Sequence, residues 1–317
     1  MLKKVMPETV IVLGGPEVSY GAARILQSNS YIDYIIQGEG EEVFANLLNA
    51  LKNECPQSVP GVCCQRGGKA EEGVPQVVAR LDNIPFPYSA EDMVSLKDKI
   101  LYYESSRGCP YACQYSLSSA TAGVRFLSLE RVFADLAFFI SHGVKQVKFV
   151  DRTFNARKDH YFPILKYLVA QDCQTNFHFE IAADILDNEV LEFLRNVPPG
   201  RFQIEIGIQS THETPLKEIR RENNWPRIVE TVGRLLPYGN IHLHLDLIAG
   251  LPYEDYQRFA QSFNDVYALR PHMLQLGFLK LLKGSGIRQR AEEHDYVFMD
   301  AAPYEVLANR YITYGEI

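Results

Sequence analysis

The sequence predicts an α/β protein in which an open barrel of parallel strands follows a smaller, partial Rossmann-like module. Six strand-like segments recur between residues 101 and 285, with helical segments between them. Their spacing is close to the roughly 30 residues of a strand–helix–strand unit. Because a complete barrel has eight strands and about 250 residues, we predict an open (β/α)6 partial TIM barrel.

Residues 1–55 alternate strand and helix in an order typical of a parallel sheet. The apolar run at residues 10–13 ends at Gly14 and Gly15, and a second strand follows near residues 32–36. Two parallel strands cannot cover both of their faces, and such sheets are normally buried on both sides. We therefore expect this module to be the latter half of a domain. Residues 56–100, which contain five prolines, are predicted to connect it to the barrel.

The barrel segments can be read individually from their apolar residues and caps. One helix has a clear start and stop: Ser128 can cap it, the apolar residues from Val132 to Ile140 share one face, and Gly143 can end it. After the barrel the composition changes, and we expect residues 286–317 to begin a further domain that is cut off. The predicted barrel strands lie at residues 101–104, 146–151, 176–181, 202–209, 241–248 and 273–279.

Composition narrows the classes of partner and compartment. The formal net charge of −7 argues against nucleic acid or an anionic membrane as the main partner. No apolar run approaches the roughly 20 residues that span a bilayer, and the first residues lack a signal-peptide pattern, so a cytoplasmic location is expected. Cysteines of a reducing cytoplasm are not a disulfide framework, and we interpret Cys55, Cys63, Cys64 and Cys173 as ordinary core residues.

Cys109 and Cys113 lie on a glycine-led loop after the first barrel strand, where barrels of this kind carry their functional groups. Thiolates are the natural ligands of iron–sulfur clusters, so two cysteines on one loop could share a metal centre. By spacing alone, however, two incidental loop cysteines explain the pair as well.

The residues around this pair resemble the signature of the radical S-adenosylmethionine family, in which three cysteines in the pattern C-x-x-x-C-x-x-C hold a 4Fe–4S cluster. Here the three positions are Cys109, Cys113 and Ser116, and an aromatic Tyr115 precedes the last one, as in the family. The later strand ends continue the resemblance. Together they are similar to the subgroup in which a cobalamin-binding module precedes the barrel and a domain without an assigned role follows it.

The resemblance implies a set of cofactors and roles. Cys109 and Cys113 would ligate iron, and Arg221 would bind the carboxylate of S-adenosylmethionine, since a guanidinium offers it two parallel hydrogen bonds. Each polar residue at a strand end could equally cap the next helix. The residues implied for binding S-adenosylmethionine, substrate or cobalamin are Asp151, Asn155, Glu180, Gln209, Ser210, Arg221, Ile248, Gly250, Gly14 and Gly15.

Within that set, the resemblance gives particular residues particular partners. Asp151 would accept from the amino group of the substrate, and Asn155 would lie on the same active face. Ile248 and Gly250 would lie against adenine, where glycine allows a close approach. The paired glycines of the first module would approach the corrin of cobalamin.

Two functions remain open from the sequence. The implied activity is reductive cleavage of S-adenosylmethionine to a 5′-deoxyadenosyl radical that attacks an unidentified substrate, with flavodoxin or ferredoxin as electron donor. Cobalamin would make methyl transfer or a rearrangement natural. Ser116 supports the alternative of a catalytically silent descendant that keeps only the binding scaffold, because a hydroxyl is a poor anionic ligand for iron. A metal-free hydrolase has no recognisable nucleophile–base pair to support it.

Overall fold

The structure is a computed structural model that describes residues 2–53, 56, 59–66, 69–96, 98–120 and 123–317. It divides into two compact units, Met1–Ile84 and Pro85–Ile317. Among the described residues, no helix is long and apolar enough to cross a membrane.

The elements are numbered in chain order. The α-helices are α1 (Leu2–Val5), α2 (Pro16–Ser19), α3 (Ala22–Ser28), α4 (Gly40–Lys52), α5 (Ala90–Leu96), α6 (Leu129–Ser141), α7 (Lys158–Ala170), α8 (Asn188–Arg195), α9 (Glu213–Glu218), α10 (Trp225–Leu235), α11 (Tyr256–Ala268) and α12 (Gly286–Gln289). The β-strands are β1 (Val12–Leu13), β2 (Tyr34–Ile36), β3 (Val62–Arg66), β4 (Lys69–Glu71), β5 (Ile100–Tyr103), β6 (Ser106–Gly108), β7 (Val124–Phe126), β8 (Gln146–Phe149), β9 (Asn176–Ile181), β10 (Phe202–Gln209), β11 (Ile241–Ala249), β12 (Met273–Phe278), β13 (Val297–Phe298) and β14 (Val306–Ala308).

The first unit is a sheet of four described strands in the order β1-β2-β3-β4. β1 and β2 are parallel, as the strand–helix–strand order predicts, whereas β3 and β4 add antiparallel pairings. These last two strands lie in the stretch that the sequence indicates only as a connecting segment, and the structure places them inside the first unit. Cys63 and Cys64 are buried on β3, which agrees with their interpretation as core residues. Cys55 lies outside the described residues.

The second unit contains the predicted barrel sheet. Its six strands run in the order β12-β11-β10-β9-β8-β5, and every neighbouring pair is parallel. The edge strands β5 and β12 do not pair with each other, so the sheet stays open. The prediction of an open six-stranded parallel barrel is confirmed. The predicted cap is also present, because Ser128 accepts a hydrogen bond from the backbone of Arg131 at the start of α6.

The barrel sheet has one apolar and one polar face. In β10 the apolar residues Phe202, Ile204, Ile206 and Ile208 are buried, and they alternate with polar or small residues. Apolar residues of the sheet meet the helices through aromatic contacts, such as that between Tyr103 and Phe139 of α6. The opposite face is therefore left to line a polar interior, which is where a ligand of charged character could bind.

The C-terminal segment packs against the loops that follow β11 and β12. The hydroxyl of Tyr296 and the amide of Asn309 both donate to the carbonyl of Gly250, at 3.1 and 2.9 Å. Backbone hydrogen bonds also join Val306 to the carbonyl of Leu279. This segment thus fixes the loop at the carboxyl end of β11, and the role of residues 286–317 as the start of a separate domain stays a prediction.

Candidate functional site

The cysteine loop is held in place by a hairpin and by backbone hydrogen bonds. β6 and β7 pair antiparallel on either side of it. Gly108 has a φ of +105°, and an added Cβ would lie 2.2 Å from the carbonyl oxygen of Gly123, so only glycine fits there. Further along, the backbone of Gln114 donates to Ile219 and accepts from Ile287. The loop therefore leaves the hairpin in a fixed direction over the end of the sheet.

Cys109, Cys113 and Ser116 all line one cavity of about 290 Å³ at the carboxyl ends of the barrel strands. Glu180, Gln209, Arg221 and Ile248 line the same cavity, so these predicted ligand-binding residues do come together with the cysteine loop. The sequence separates these seven residues by as much as 139 positions, from 109 to 248. Their convergence is a property of the parallel sheet, which brings the carboxyl ends of its strands to one edge.

Arg221 donates to two side chains of the cysteine loop. Its Nη1 donates to the Sγ of Cys113 at 3.9 Å and to the hydroxyl of Tyr115 at 3.3 Å. Its Nη2 donates to the carbonyl of Gly207. Burial raises the pKa of the Cys113 thiol, while the charge and hydrogen bond of Arg221 act in the opposite direction. Arg221 thus favours the thiolate form, which is the form that binds iron.

Acidic side chains form the opposite wall of the cavity. Glu180, Glu205 and Asp246 line it from three neighbouring strands. Burial and then the nearby Glu205 raise the pKa of Asp246 to about 8 and also raise the pKa of Glu180. The cavity is therefore lined by a guanidinium and thiols as well as by carboxyl groups, an arrangement suited to a ligand that carries both charges.

Four residues predicted to bind ligand take other partners in the structure. Asp151 is fully buried, and it accepts hydrogen bonds from Ser105 and Ser106. Asn155 is also buried, and it bonds to the backbone of Ala182 in both directions. Neither residue lines the cavity. Both side chains connect one strand end to the next, and their contacts with a substrate stay predictions.

Ser210 and Gly250 are the other two. The hydroxyl of Ser210 donates to the buried carboxyl of Glu254 at 2.5 Å, and that contact joins the ends of β10 and β11. Gly250 has a φ of +91°, and an added Cβ would lie 3.4 Å from Val306. Gly250 therefore lies close to the C-terminal segment. Of the two residues expected to lie against adenine, Ile248 lines the cavity and Gly250 does not.

Gly14 and Gly15 lie in the first unit, after β1. Gly15 has a φ of +93° and precedes α2, so the backbone itself requires glycine there. Among the described residues, nothing beyond its chain neighbours lies within 4 Å of an added Cβ at Gly15, and a Cβ at Gly14 would meet only Ile36, at ordinary contact distance. The space in front of this pair is open, as a bound corrin would need, although open space at a turn is common.

Several cavity residues were missed by sequence reasoning. Tyr111, Arg152, Thr153, Glu205, Asp246 and Gln275 all line the cavity. The Oγ1 of Thr153 lies 3.7 Å from the Sγ of Cys109. Glu205 and Asp246 could have been found from the alternation of β10 and β11, because each stands two positions from another inward-facing residue. Arg152 and Thr153 follow a strand end in a loop, where no such period applies.

The architecture and the cavity agree with what sequence comparison finds. The profile of the radical SAM superfamily matches residues 103–266, more than half of the chain. The chain belongs to the radical SAM superfamily. A second profile, described as a protein of unknown function (DUF4080), matches residues 292–317 of this radical SAM chain.

Curated relatives of this radical SAM chain include cobalamin-dependent enzymes. An uncharacterized methyltransferase of Pyrococcus horikoshii is 25% identical over 84% of the chain and 61% of its own length. The cobalamin-dependent radical SAM methyltransferase TokK of Streptomyces tokunonensis is 27% identical over 84% of the chain and 41% of its own length. The chain thus spans about two fifths to three fifths of these relatives.

Solved structures show the same fold. The cobalamin-dependent S-adenosylmethionine radical enzyme OxsB, with aqua-cobalamin and S-adenosylmethionine bound, superposes with a TM-score of 0.74 at 15% identity, over 97% of the chain and 52% of that enzyme. TsrM, a radical S-adenosylmethionine methyltransferase from Kitasatospora setae, superposes with a TM-score of 0.72 at 15% identity, over 93% of the chain and 61% of its own. The resemblance to the cobalamin-containing subgroup is therefore confirmed.

The residues present can be tested against an iron–sulfur cluster by their donor chemistry. Two thiols and one hydroxyl stand at the three ligand positions, and all three residues face one cavity. The thiols fit iron, and Arg221 favours the thiolate of Cys113. The hydroxyl of Ser116 accepts from the backbone of Ser118 at 3.3 Å and remains a weaker donor than a thiolate. The set fits a cluster with two thiolate ligands and an oxygen at the third position.

Proposed function

We propose that this chain binds a 4Fe–4S cluster through Cys109, Cys113 and Ser116 and cleaves S-adenosylmethionine reductively. The observation that supports this most is the convergence of the three motif positions with Arg221 and Glu180 on one cavity. When bound, the reduced cluster supplies the electron that splits S-adenosylmethionine into methionine and a 5′-deoxyadenosyl radical. The remaining steps depend on residues of the chain itself.

These residues bind and orient the ligand. Arg221 is suited to the carboxylate of S-adenosylmethionine, because a guanidinium binds a carboxylate through two parallel hydrogen bonds. Glu180 and Gln209 line the cavity and offer acceptors to its amino group and ribose. Ile248 gives the cavity an apolar surface for a base. Enclosure of the cavity by Tyr111 and Tyr115 of the cysteine loop excludes water from a reactive radical.

A cobalamin-linked methyl transfer is the proposed form of the reaction, on a substrate not yet identified. Its support is the likeness to the cobalamin-dependent methyltransferase TokK and the space before Gly14 and Gly15 in the first unit. An electron donor such as flavodoxin or ferredoxin and a cytoplasmic location complete the proposal, and both follow from the resemblance to the family.

A second candidate function is a scaffold that binds S-adenosylmethionine without cleaving it. Ser116 favours this alternative, since an alcohol ionises far less readily than a thiol and holds iron more weakly. The scaffold would keep the Arg221 side of the cavity and lose only the cluster. The two candidates therefore differ in iron content and in cleavage, and they agree on ligand binding.

The test is anaerobic reconstitution with iron and sulfide, followed by iron analysis, visible absorption and a 5′-deoxyadenosine assay under reducing conditions. Three chains are compared: the natural one, Ser116→Cys, and the matched control Ser118→Cys, which adds a thiol two residues away in the same segment. The enzyme proposal expects about four irons both in the natural chain and in Ser116→Cys, and no gain from Ser118→Cys relative to the natural chain.

The outcomes separate the candidates. Iron and 5′-deoxyadenosine in the natural chain support the proposed enzyme with an oxygen ligand. Iron and cleavage only in Ser116→Cys support a scaffold that has lost one ligand. If Ser116→Cys folds yet binds no iron, or if Ser118→Cys gains as much, the assignment of the three motif positions is wrong.

A further inference from the structure

Beneath the cavity, the polar face of the sheet carries a cluster of two histidines and a glutamate that the proposed function does not use. His178, Glu205 and His244 come from the adjacent strands β9, β10 and β11. Glu205 lies opposite His244 in the parallel register. The nearest ligand atoms of the three side chains all lie within 4.8 Å of one another. We call these three residues the His178–Glu205–His244 cluster.

The imidazoles of this cluster are buried and poorly satisfied. His178 is 6% exposed and His244 is 7% exposed. Both ring nitrogens of His244 and the Nε2 of His178 have no hydrogen-bond partner among the described residues. The Nε2 of His178 lies 2.9 Å from a carboxylate oxygen of Glu205, but its direction does not meet hydrogen-bond geometry. Buried polar atoms are normally paired, so these nitrogens call for a ligand.

The donor set is one that proteins use for divalent transition metals. Two imidazoles and one carboxylate hold zinc in catalytic sites and leave a further coordination position open. In a tetrahedral zinc site with bonds of about 2.0–2.2 Å, two ligand atoms lie about 3.3–3.6 Å apart. The ligand atoms of the cluster lie within 4.8 Å of one another, so the side chains would have to close in by up to about 1.5 Å around an ion.

We propose that His178, Glu205 and His244 bind one divalent transition-metal ion, such as Zn²⁺, beneath the cavity. Glu205 itself lines the cavity, so the open coordination position would face the space where a ligand binds. An ion there would take an oxygen or nitrogen donor from that ligand. The site is separate from Cys109 and Cys113, and it stands whether or not a cluster forms on them.

Lys148 would compete with such an ion for Glu205. Its Nζ donates to the Oε2 of Glu205 at 3.1 Å. A permanent Lys148–Glu205–His178 ion-pair network would satisfy the carboxylate without any metal. The two explanations make opposite predictions for removal of the ammonium group. If the cluster is a metal site, Lys148→Met removes a competing cation and strengthens metal binding; if it is only an ion-pair network, the same change yields no metal affinity.

The experiment uses the full chain with Cys109→Ala and Cys113→Ala, so that those thiols cannot bind the probe. The metal-free protein is titrated with Co²⁺, whose visible absorption reports nitrogen and oxygen ligands and whose intense charge-transfer bands would reveal sulfur. The expected result is one Co²⁺ per chain without sulfur bands, displaced by Zn²⁺. His178→Gln and His244→Gln each weaken binding at least tenfold, and Lys148→Met tightens it.

The matched control is His242→Gln. His242 lies two positions from His244 on the same strand, is outside the cluster and stacks with His272. Its substitution leaves Co²⁺ affinity unchanged if the proposal holds. The proposal is overturned if the folded Cys109→Ala, Cys113→Ala background binds no Co²⁺, if His242→Gln weakens binding as much as His244→Gln, or if Lys148→Met has no effect. Thermal melting of each variant shows that the comparison is between folded chains.

Discussion

The buried carboxylate of Asp151 supports the cysteine loop, and replacing it separates two effects. It accepts from the Ser105 amide at 2.9 Å, from the Ser105 hydroxyl at 2.7 Å and from the Ser106 hydroxyl at 2.5 Å. Asp151→Ala leaves three buried donors without an acceptor, at about 1–3 kcal/mol each. We expect it to lose about 3–6 kcal/mol of unfolding free energy. Asp151→Asn should lose less than about 2 kcal/mol of unfolding free energy, because the hydroxyls of Ser105 and Ser106 can rotate to bond with the side-chain amide of the new asparagine.

The charge of Asp151 adds a dependence on pH. Burial raises its pKa from 3.8 to about 6, against the opposing hydrogen bonds from Ser106 and Ser105. Between these two values the folded chain holds a proton that the unfolded chain has released. The protonated Asp151 therefore contributes up to about 3 kcal/mol to the unfolding free energy below about pH 4, and this contribution is lost as pH rises through about 6. Asp151→Asn lacks this loss, so the stability gap between the natural chain and Asp151→Asn changes across that window.

Urea denaturation at pH 4.5 and 7.5 measures both quantities. Asp159→Ala is the matched control, because that side chain is 78% exposed and pairs only with Arg157 at the surface; it should change stability by less than about 0.5 kcal/mol. A natural chain and an Asp151→Ala variant of equal stability would refute the role assigned to the carboxylate. If the difference in stability between the natural chain and Asp151→Asn is the same at both pH values, the raised pKa of Asp151 is refuted.

Two further predictions concern a backbone and a buried carboxyl. Gly108→Ala should distort the cysteine loop and lower cluster loading severalfold, because its Cβ meets the Gly123 carbonyl at 2.2 Å; Gly123→Ala, which also has positive φ but open space, should cost only about 1 kcal/mol. Iron analysis and melting compare the two, and equal losses would contradict the clash. Burial raises the pKa of Glu254 from 4.5 to about 7. The natural chain should therefore lose up to about 3 kcal/mol of unfolding free energy as pH rises from about 4.5 to above 7, and Glu254→Gln should not show this loss. If urea denaturation shows the same change in stability between pH 5 and pH 8 for the natural chain and for Glu254→Gln, the raised pKa of Glu254 is wrong.

The sheet was predictable because its strands carry a local signal. In β10, four apolar residues from Phe202 to Ile208 alternate with polar ones, and period-two alternation identifies a strand without knowledge of its partners. Likewise, Ser128 and Gly143 bracket α6 by local capping chemistry. β3, β4 and the β6–β7 hairpin were not predicted, since these short strands depend on pairing with distant segments.

The sequence could predict which residues lie near the site, but not which of them face the cavity. Both Glu180 and Arg221 came from the resemblance to the family. Glu180 stands in β9, whose carboxyl end meets those of the other parallel strands, whereas Arg221 follows α9. The direction of a side chain after the strand end is set by loop contacts that no sequence period describes. Asp151 and Asn155 show the result, because each bonds to a neighbouring backbone group or hydroxyl and neither lines the cavity. Sequence thus located the edge of the sheet and could not say which of its polar residues face inward.

Arg221 gives the last and most discriminating prediction. Its Nε has no hydrogen-bond partner, and among the described residues no carboxylate forms an ion pair with it. A cation on a cavity wall gains most from an anionic ligand, and a charge-assisted hydrogen bond contributes about 1.5–3 kcal/mol. Arg221→Gln should therefore weaken S-adenosylmethionine binding about 10- to 100-fold by calorimetry.

This loss should appear both in the natural chain and in Ser116→Cys, since Arg221 acts on the ligand independently of the third cluster position. Arg234→Gln, which removes a helix-surface pair with Glu192, should leave binding unchanged. If Arg221→Gln binds S-adenosylmethionine as tightly as Arg234→Gln does, the cavity is not the site for its carboxylate. If Arg221→Gln lowers S-adenosylmethionine affinity only in the Ser116→Cys background, the ligand binds only when the cluster is present. The alternative of a scaffold that binds S-adenosylmethionine without a cluster would then be wrong.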